Sequence, residues 1–215
     1  GAKNSCPQEC RRRCDEEDHS QERRLPAHRR GLMSADLESA LAALRRGGVI
    51  AYPTEAVWGL GCDPRNEEAV LKLLALKQRD PGMGLLLIAS TFEQLSPYLG
   101  PCPPAALERA QASWPGPHTW ILPASAAAPA WITGRHDGIG VRVTAHPVAA
   151  ELCRRFAGAL VSTSANRHGQ APARTQAEVQ DSLGTELDAI MPGAIGGLER
   201  PTPIRDAISG EIVRS

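Results

Sequence analysis

Residues 49–64 read VIAYPTEAVWGLGCDP, and this stretch indicates the fold of the chain. The apolar run Val49–Tyr52 predicts a short buried strand. Pro53 and two later glycines predict a tight loop that presents Thr54 and Glu55 at the end of that strand. Ligands of open α/β sheets bind preferentially at this edge, so Thr54 and Glu55 are candidate ligand-binding residues. The alternative is an ordinary connecting loop in which Glu55 is solvated.

Helix and strand signals alternate on both sides of this stretch. Ser34 is a candidate N-cap for a helix with a leucine face, and Asn66 is one for a helix that ends near Lys77. Thr175 with Glu178 predicts a capping box for a later helix. Ser209-Gly210 predicts a two-residue turn in a closing hairpin. Apolar runs predict strands at residues 85–89, 119–122, 139–143, 160–162 and 187–191. The pattern predicts an α/β fold, a single domain with a twisted, mixed open sheet flanked by helices.

The first 32 of the 215 residues differ in composition from the rest. Apolar residues are scarce after Cys14, so residues 1–32 are predicted to be a disordered extension before a folded domain at residues 33–215. Met33 is the expected natural start. Cys6, Cys10 and Cys14 would share one helix face, and a metal or redox role is the alternative there.

Charge and composition exclude several classes of protein. The chain has 24 basic and 24 acidic residues, so its net charge gives no reason to expect a nucleic-acid or membrane partner. No run of 18 apolar residues exists, which argues against a transmembrane helix. The charged N-terminus argues against a secretory signal, and the scattered later cysteines favour a reduced, cytoplasmic compartment.

Familiar phosphate-binding motifs are absent from the sequence. It contains neither a Walker A loop nor a dinucleotide-binding glycine motif, so a nucleotide would have to be held by side-chain cations and hydroxyls. Lys77 and Arg79 at a helix end could hold phosphates, or they could simply complement the helix dipole. Arg142, within a β-branched strand, should meet a carboxylate or phosphate unless that strand face is exposed to water.

A dense polar segment follows another predicted strand. Ser162, Ser164 and Asn166 offer hydroxyl and amide groups within five residues, which is typical of a ligand-binding loop or of a capped turn. The histidines show no shared spacing, and no metal ligand is assigned to any protein side chain.

Taken together, these segments resemble the bacterial YrdC-like threonylcarbamoyl-AMP synthases from about Ser34 to Arg214. The matching stretches are residues 49–64, LKQR at 76–79, SWPGPHTW at 113–120, VRVTAHP at 141–147, LVSTSAN at 160–166 and IRDAISGEIVR at 204–214. The resemblance implies an enzyme that forms threonylcarbamoyl-AMP and pyrophosphate from L-threonine, bicarbonate and ATP. It also implies Mg2+ on the triphosphate, and a partner transferase complex that modifies adenosine 37 of tRNA.

The same resemblance implies roles for individual residues. Thr54 would hold threonine, Lys77 and Arg79 would face the ATP phosphates, and Arg142 would pair with the threonine carboxylate or a phosphate. The nucleotide and threonine pocket would be lined by Ser162, Ser164 and Asn166. Thr202 would contact ATP.

One position departs from the family pattern. Met83 stands where the resemblance implies a second phosphate-facing lysine. Either a nearby arginine replaces that lysine, with Arg65, Arg167 and Arg174 as candidates, or the protein is a catalytically weakened relative. An RNA-binding module with weak tRNA affinity, or a carbamoyl-transfer domain like those of hydrogenase-maturation proteins, are the further alternatives.

Overall fold

The structure is a computed structural model that describes residues 27–200 and 202–214. The chain divides into two units, Gly1–Ala35 and Asp36–Ser215, and the boundary falls within the first helix. That helix begins at Ala27, so the prediction of an N-cap at Ser34 is wrong. The predicted extension lies largely outside the described residues, as do its three cysteines, and both interpretations of it stay predictions.

Helices and short strands alternate along the described chain. The helices are α1 Ala27–Arg45, α2 Glu67–Lys77, α3 Pro104–Gln111, α4 Ala130–Thr133, α5 Pro147–Phe156 and α6 Gln176–Leu183. The strands are β1 Ile50–Pro53, β2 Trp58–Gly61, β3 Leu86–Ala89, β4 Thr119–Pro123, β5 Gly138–Val143, β6 Leu160–Ser164, β7 Ala189–Ile190, β8 Ile204–Asp206 and β9 Ile212–Arg214. Single 3-10 turns lie at Pro81–Met83, Phe92–Gln94, Ser96–Tyr98 and Gly184–Glu186.

These strands form one sheet with the order β7-β1-β2-β6-β3-β5-β4-β8-β9. Pairing is parallel for β1 with β7, β3 with β5 and β4 with β8, and antiparallel for the other neighbours. The predicted α/β fold with a mixed sheet flanked by helices is therefore confirmed.

Local capping agrees with the sequence signals at two helices. The Asn66 side chain accepts a hydrogen bond from the backbone N of Ala69 at 3.1 Å and begins α2. Thr175 and Glu178 form a reciprocal capping box at the start of α6. Because these contacts are local, they were readable from residue spacing alone.

The loop predicted after β1 is a hairpin turn. Strands β1 and β2 pair antiparallel, with Ile50 opposite Gly61 and Pro53 opposite Trp58. Strand β2 was not predicted, because two of its four residues are glycines, which have low strand propensity. Gly61 is required there, since a Cβ would lie 2.6 Å from the carbonyl oxygen of Val161.

The closing hairpin also differs from its prediction. Strands β8 and β9 pair antiparallel, but residues 207–211 connect them, so the expected two-residue turn is wrong. The Asp206 carboxylate accepts hydrogen bonds from the backbone N of Ile208 and of Ser209, each at 2.8 Å. This side-chain acceptor stabilises a longer turn than the Ser-Gly pair suggested.

Two apolar clusters cover the sheet. One packs β3 and β5 residues such as Leu87 and Val141 against α2 and its neighbours. The other packs Ile50 and Leu160 against buried leucines of α1 and α5. On the sheet face that carries Ile50 and Leu160, the helices leave part of the strands uncovered. The candidate site lies over that uncovered part.

Candidate active site

A cavity of about 1230 Å³ lies over the uncovered part of the sheet. Alternation along β5 shows how it is built, because successive side chains of a strand point to opposite faces. Gly138, Gly140 and Arg142 line the cavity, whereas Ile139 and Val141 are buried in the core. The two glycines leave space on the sheet, and the arginine brings the charge.

Arg142 is the centre of a hydrogen-bond network on the cavity wall. Its Nε and Nη2 donate to Thr119 Oγ1 at 2.9 and 2.7 Å, and Nη2 also donates to Thr202 Oγ1 at 2.8 Å. Its Nη1 donates to Glu55 Oε2 at 3.0 Å. These bonds leave one N–H group of the guanidinium, on Nη1, for which the described residues supply no acceptor.

Glu55, in the β1–β2 turn, carries the negative charge that pairs with this arginine. Its other carboxylate oxygen accepts from Thr144 Oγ1 at 2.6 Å and from the Ala145 backbone N at 3.2 Å. Burial by itself would raise the pKa of Glu55, but the Arg142 charge and the Thr144 hydrogen bond hold that pKa below its usual range. Glu55 is therefore ionised, and it holds Arg142 in position.

Hydroxyl groups on neighbouring elements complete this part of the wall. Thr54, also in the β1–β2 turn, is buried and donates through Oγ1 to the Val57 carbonyl oxygen at 2.6 Å. Ser162 and Ser164 lie on β6, one pleat apart, and both line the cavity. Thr54, Arg142, both serines and Thr202 thus line one cavity.

Lys77 and Asn166 occupy a different position from the other predicted site residues. Neither is among the residues that line the cavity. The Lys77 ammonium donates to the carbonyl oxygen of Ser164, to that of Asn166 at 2.8 Å and to Asn166 Oδ1 at 3.2 Å. Asn166 Nδ2 in turn donates to the Gln170 carbonyl oxygen at 2.7 Å. Lys77 therefore anchors the loop that follows β6, which forms one side of the cavity.

Positive charge is concentrated around this anchor. Burial, and then the nearby charges of Arg79 and Arg214, lower the pKa of Lys77 to about 8. Burial and Arg214 also lower the pKa of Arg79, whose Nη2 donates to the Gly84 carbonyl oxygen at 2.8 Å. The Nε of Arg79 is buried with no acceptor among the described residues. Such a cluster is stabilised by an anionic ligand.

Three arginines that line the cavity were not among the site residues predicted from the sequence. Arg135, Arg200 and Arg214 line the cavity together with Arg79 and Arg142. Two residues in this lining carry a carboxylate, Glu55 and Asp137, and Glu55 is already paired with Arg142. Arg214 lay within the quoted IRDAISGEIVR stretch, whereas nothing in the sequence indicated that Arg135 faces the site. The five arginines give the cavity wall an excess of positive charge, which favours an anionic ligand.

The three arginines expected to compensate for Met83 lie elsewhere. Arg65 pairs with Asp63, Arg167 with Glu186, and Arg174 donates to backbone carbonyl oxygens after residue 197. None of the three lines the cavity, so this expectation is wrong. Each of the three instead bonds to an acceptor outside the cavity.

The described residues also bear on metal ions and on membranes. Among them, no group of three or more histidine, cysteine, aspartate or glutamate side chains is arranged to hold a metal ion. No helix in that part of the chain has the length and apolarity needed to cross a bilayer.

Fold and site together define an α/β protein that binds a phosphorylated, nucleotide-type ligand over an arginine-lined sheet. The Sua5/YciO/YrdC family model, described as "Telomere recombination", matches residues 42–215. The chain belongs to this family.

Similar proteins carry consistent names. A threonylcarbamoyl-AMP synthase of Halorhodospira halophila is 62% identical over 175 residues, which cover 81% of this chain and 92% of that protein. A synthase of the same name from Xanthomonas campestris pv. campestris is 53% identical, with 83% and 97% covered. The crystal structure of P. abyssi Sua5 complexed with L-threonine superposes with a TM-score of 0.75 at 30% identity; it covers 79% of this chain and 50% of that one.

Proposed function

We propose that this protein is a threonylcarbamoyl-AMP synthase, which forms threonylcarbamoyl-AMP and pyrophosphate from L-threonine, bicarbonate and ATP. The arginine-lined cavity beside a row of hydroxyl groups is the observation that carries the proposal. Synthase relatives at 53–62% identity over more than nine-tenths of their length support it. The product serves N6-threonylcarbamoyladenosine formation at position 37 of tRNA.

The chemistry needs no covalent protein nucleophile. Threonine nitrogen and bicarbonate form a carbamate with loss of water, and a carbamate oxygen attacks the α-phosphorus of ATP. The bond from that phosphorus to the bridging oxygen breaks, and pyrophosphate leaves with the electron pair. The protein therefore contributes positioning and neutralisation of charge, which five lining arginines are suited to supply.

We assign threonine to the part of the wall around Arg142. The free N–H group on Nη1 of Arg142 is the donor for the threonine carboxylate, and Thr54 lies beside its partner Glu55 in the same turn. Ser162 and Ser164 line the same cavity, and there they would hold the carbamate and the α-phosphate.

We assign the ATP phosphates to the end of the cavity with Arg79 and Arg214. The buried Nε of Arg79 without an acceptor is the kind of group that a phosphate oxygen satisfies. Lys77 acts through the loop whose carbonyl groups it holds, and with Asn166 it keeps Ser164 in place. Thr202, which is bonded to Arg142, would contact ATP between the two ends.

Further partners follow from the same activity. Mg2+ would enter as part of the substrate, held by triphosphate oxygens, since Glu55 is paired with Arg142 and the described residues hold no group of three side chains arranged for a metal ion. The adenylate would pass to a threonylcarbamoyl-transferase complex acting on tRNA, for which the chain itself would have weak affinity. This activity implies a cytoplasmic location.

Incubation of the chain with ATP, L-threonine, bicarbonate and Mg2+ tests the proposal. Adenylate product, detected by mass, and pyrophosphate should both appear, and omission of threonine or bicarbonate should abolish them. A folded chain that yields no adenylate would refute the proposal. Salt-sensitive RNA binding by such an inactive chain would identify the RNA-binding alternative instead.

A further inference from the structure

The loop Asp80–Gly84 has a cation of its own, although Met83 contributes none. Arg135, which follows α4, donates from Nη2 to Asp80 Oδ2 at 2.6 Å. Its guanidinium lies directly against Gly82, where any Cβ would overlap it. The lack of a side chain at Gly82 therefore makes room for the charged group of Arg135.

Backbone contacts fix the position of this arginine relative to the loop. The Arg135 backbone N donates to the Gly82 carbonyl oxygen at 3.1 Å, and Leu85 N donates to the Ile132 carbonyl oxygen at 2.8 Å. Gly134 has φ of 62°, and a Cβ there would lie 2.6 Å from both Gly82 O and Gly84 N. The α4 end and the loop thus meet at a distance that two glycines permit.

Arg135 and Arg79 are held by the same short loop. Arg79 donates to Gly84 O at one end of it, and Arg135 pairs with Asp80 at the other. Both line the cavity, as does Met83 between these attachments. The Arg135 side chain is 71% exposed, so its remaining N–H groups are open to a ligand in the cavity.

We propose that Arg135 is a further phosphate-contacting residue of the nucleotide site and supplies the positive charge that Met83 does not. Asp80 is its positioning residue, because it orients the guanidinium from the side away from the remaining N–H groups. This inference rests on the proposed function and deepens it. Charge-assisted contacts to phosphate suit arginine, whose planar group can bond to a carboxylate and to a phosphate at once.

Steady-state kinetics of single and paired variants test the assignment. R135Q should raise KM for ATP about tenfold and leave KM for threonine within about twofold. M83K in the R135Q background should recover most of that loss, because it returns a cation to the same loop. M83K alone should change KM for ATP little. R155Q is the matched control, since Arg155 is an exposed arginine that pairs with Glu38 and does not line the cavity.

A purely structural role for Arg135 predicts a different pattern. R135Q and D80N would then lower the melting temperature equally, would impair use of both substrates, and would not be rescued by M83K. That pattern, or an unchanged KM for ATP in R135Q, overturns the inference.

Calorimetric titration with ATP and with AMP separates this inference from the proposed function. R135Q should weaken binding of ATP while AMP binding stays the same, and this comparison requires no turnover. An inactive parent chain that binds ATP in this Arg135-dependent way would refute only the synthase proposal. Equal ATP affinity in R135Q and parent would refute only the role of Arg135.

Discussion

Replacement of Glu55 by glutamine would remove one negative charge from the cavity wall and leave nearly the same side-chain volume. The amide oxygen of the glutamine can still accept from Thr144 Oγ1, as the carboxylate does at 2.6 Å. The amide NH2 would then face Nη1 of Arg142, which is itself a donor. The substitution therefore changes one contact, because it replaces the ion pair with two opposed donors.

The expected magnitude follows from burial of the pair. The Arg142 and Glu55 side chains are 14% and 10% exposed. Removal of one partner from a buried pair costs about 3–5 kcal/mol. Arg142 keeps its hydrogen bonds to Thr119 and Thr202, so we expect E55Q to lower the free energy of unfolding by about 2–3 kcal/mol.

Urea denaturation at several pH values measures this effect. Because the folded-state pKa of Glu55 is lowered, its contribution is fully present above the unfolded carboxyl pKa and is lost as pH falls through the folded value. The difference between parent and E55Q should therefore be largest near pH 7 and shrink in acid. E186Q, which removes the exposed partner of Arg167, is the control and should cost about 1 kcal/mol or less. An E55Q chain as stable as the parent at pH 7 would refute the reasoning.

Three further substitutions or conditions test other parts of the structure. K77M leaves carbonyl oxygens of the loop after β6 without their donor, so the melting temperature should fall and KM for ATP should rise at least about tenfold; unchanged kinetics would exclude the anchor role. Affinity for ATP, measured by titration from pH 7 to 9.5, should decrease as pH rises through about 8, because Lys77 then loses its proton; a flat profile would contradict this. G61A should lower the unfolding free energy by about 1–3 kcal/mol through the clash with Val161 O, whereas G140A, with contacts at 3.5 Å or more, should cost less than about 1 kcal/mol. Equal effects of the two glycine substitutions in chemical denaturation would show that this distinction is wrong.

Elements with local signals were predicted from the sequence, because their determinants lie within a few residues of each other. The Asn66 cap and the Thr175–Glu178 capping box are of this kind. Strand β5 was also recognisable from its β-branched residues. Strand β2 was not, because Gly61 is required by the close approach of Tyr52 and Val161, and both of these residues lie on other strands.

Prediction of the site had the same physical limit. Residue type and spacing singled out Thr54, Arg79, Arg142, Ser162 and Ser164, and the family resemblance added Thr202; all six line one cavity. They could not show that Lys77 points into the loop after β6 rather than into the cavity. Nor could they distinguish Arg135 from Arg65, because both are arginines in polar segments and only their tertiary partners differ.

By itself, the sequence determined the α/β class, the starts of α2 and α6, and the set of polar residues from which the site is drawn. Tertiary structure alone decided which of those residues meet, which cations remain free for a ligand and which are used internally. The reason is that charge and hydrogen-bonding capacity belong to a side chain, whereas their availability depends on the acceptors that folding brings within reach. Glu55 accepts from Nη1 of Arg142 from 87 residues away in the chain, and with Thr119 and Thr202 it leaves one N–H group of that guanidinium without an acceptor among the described residues.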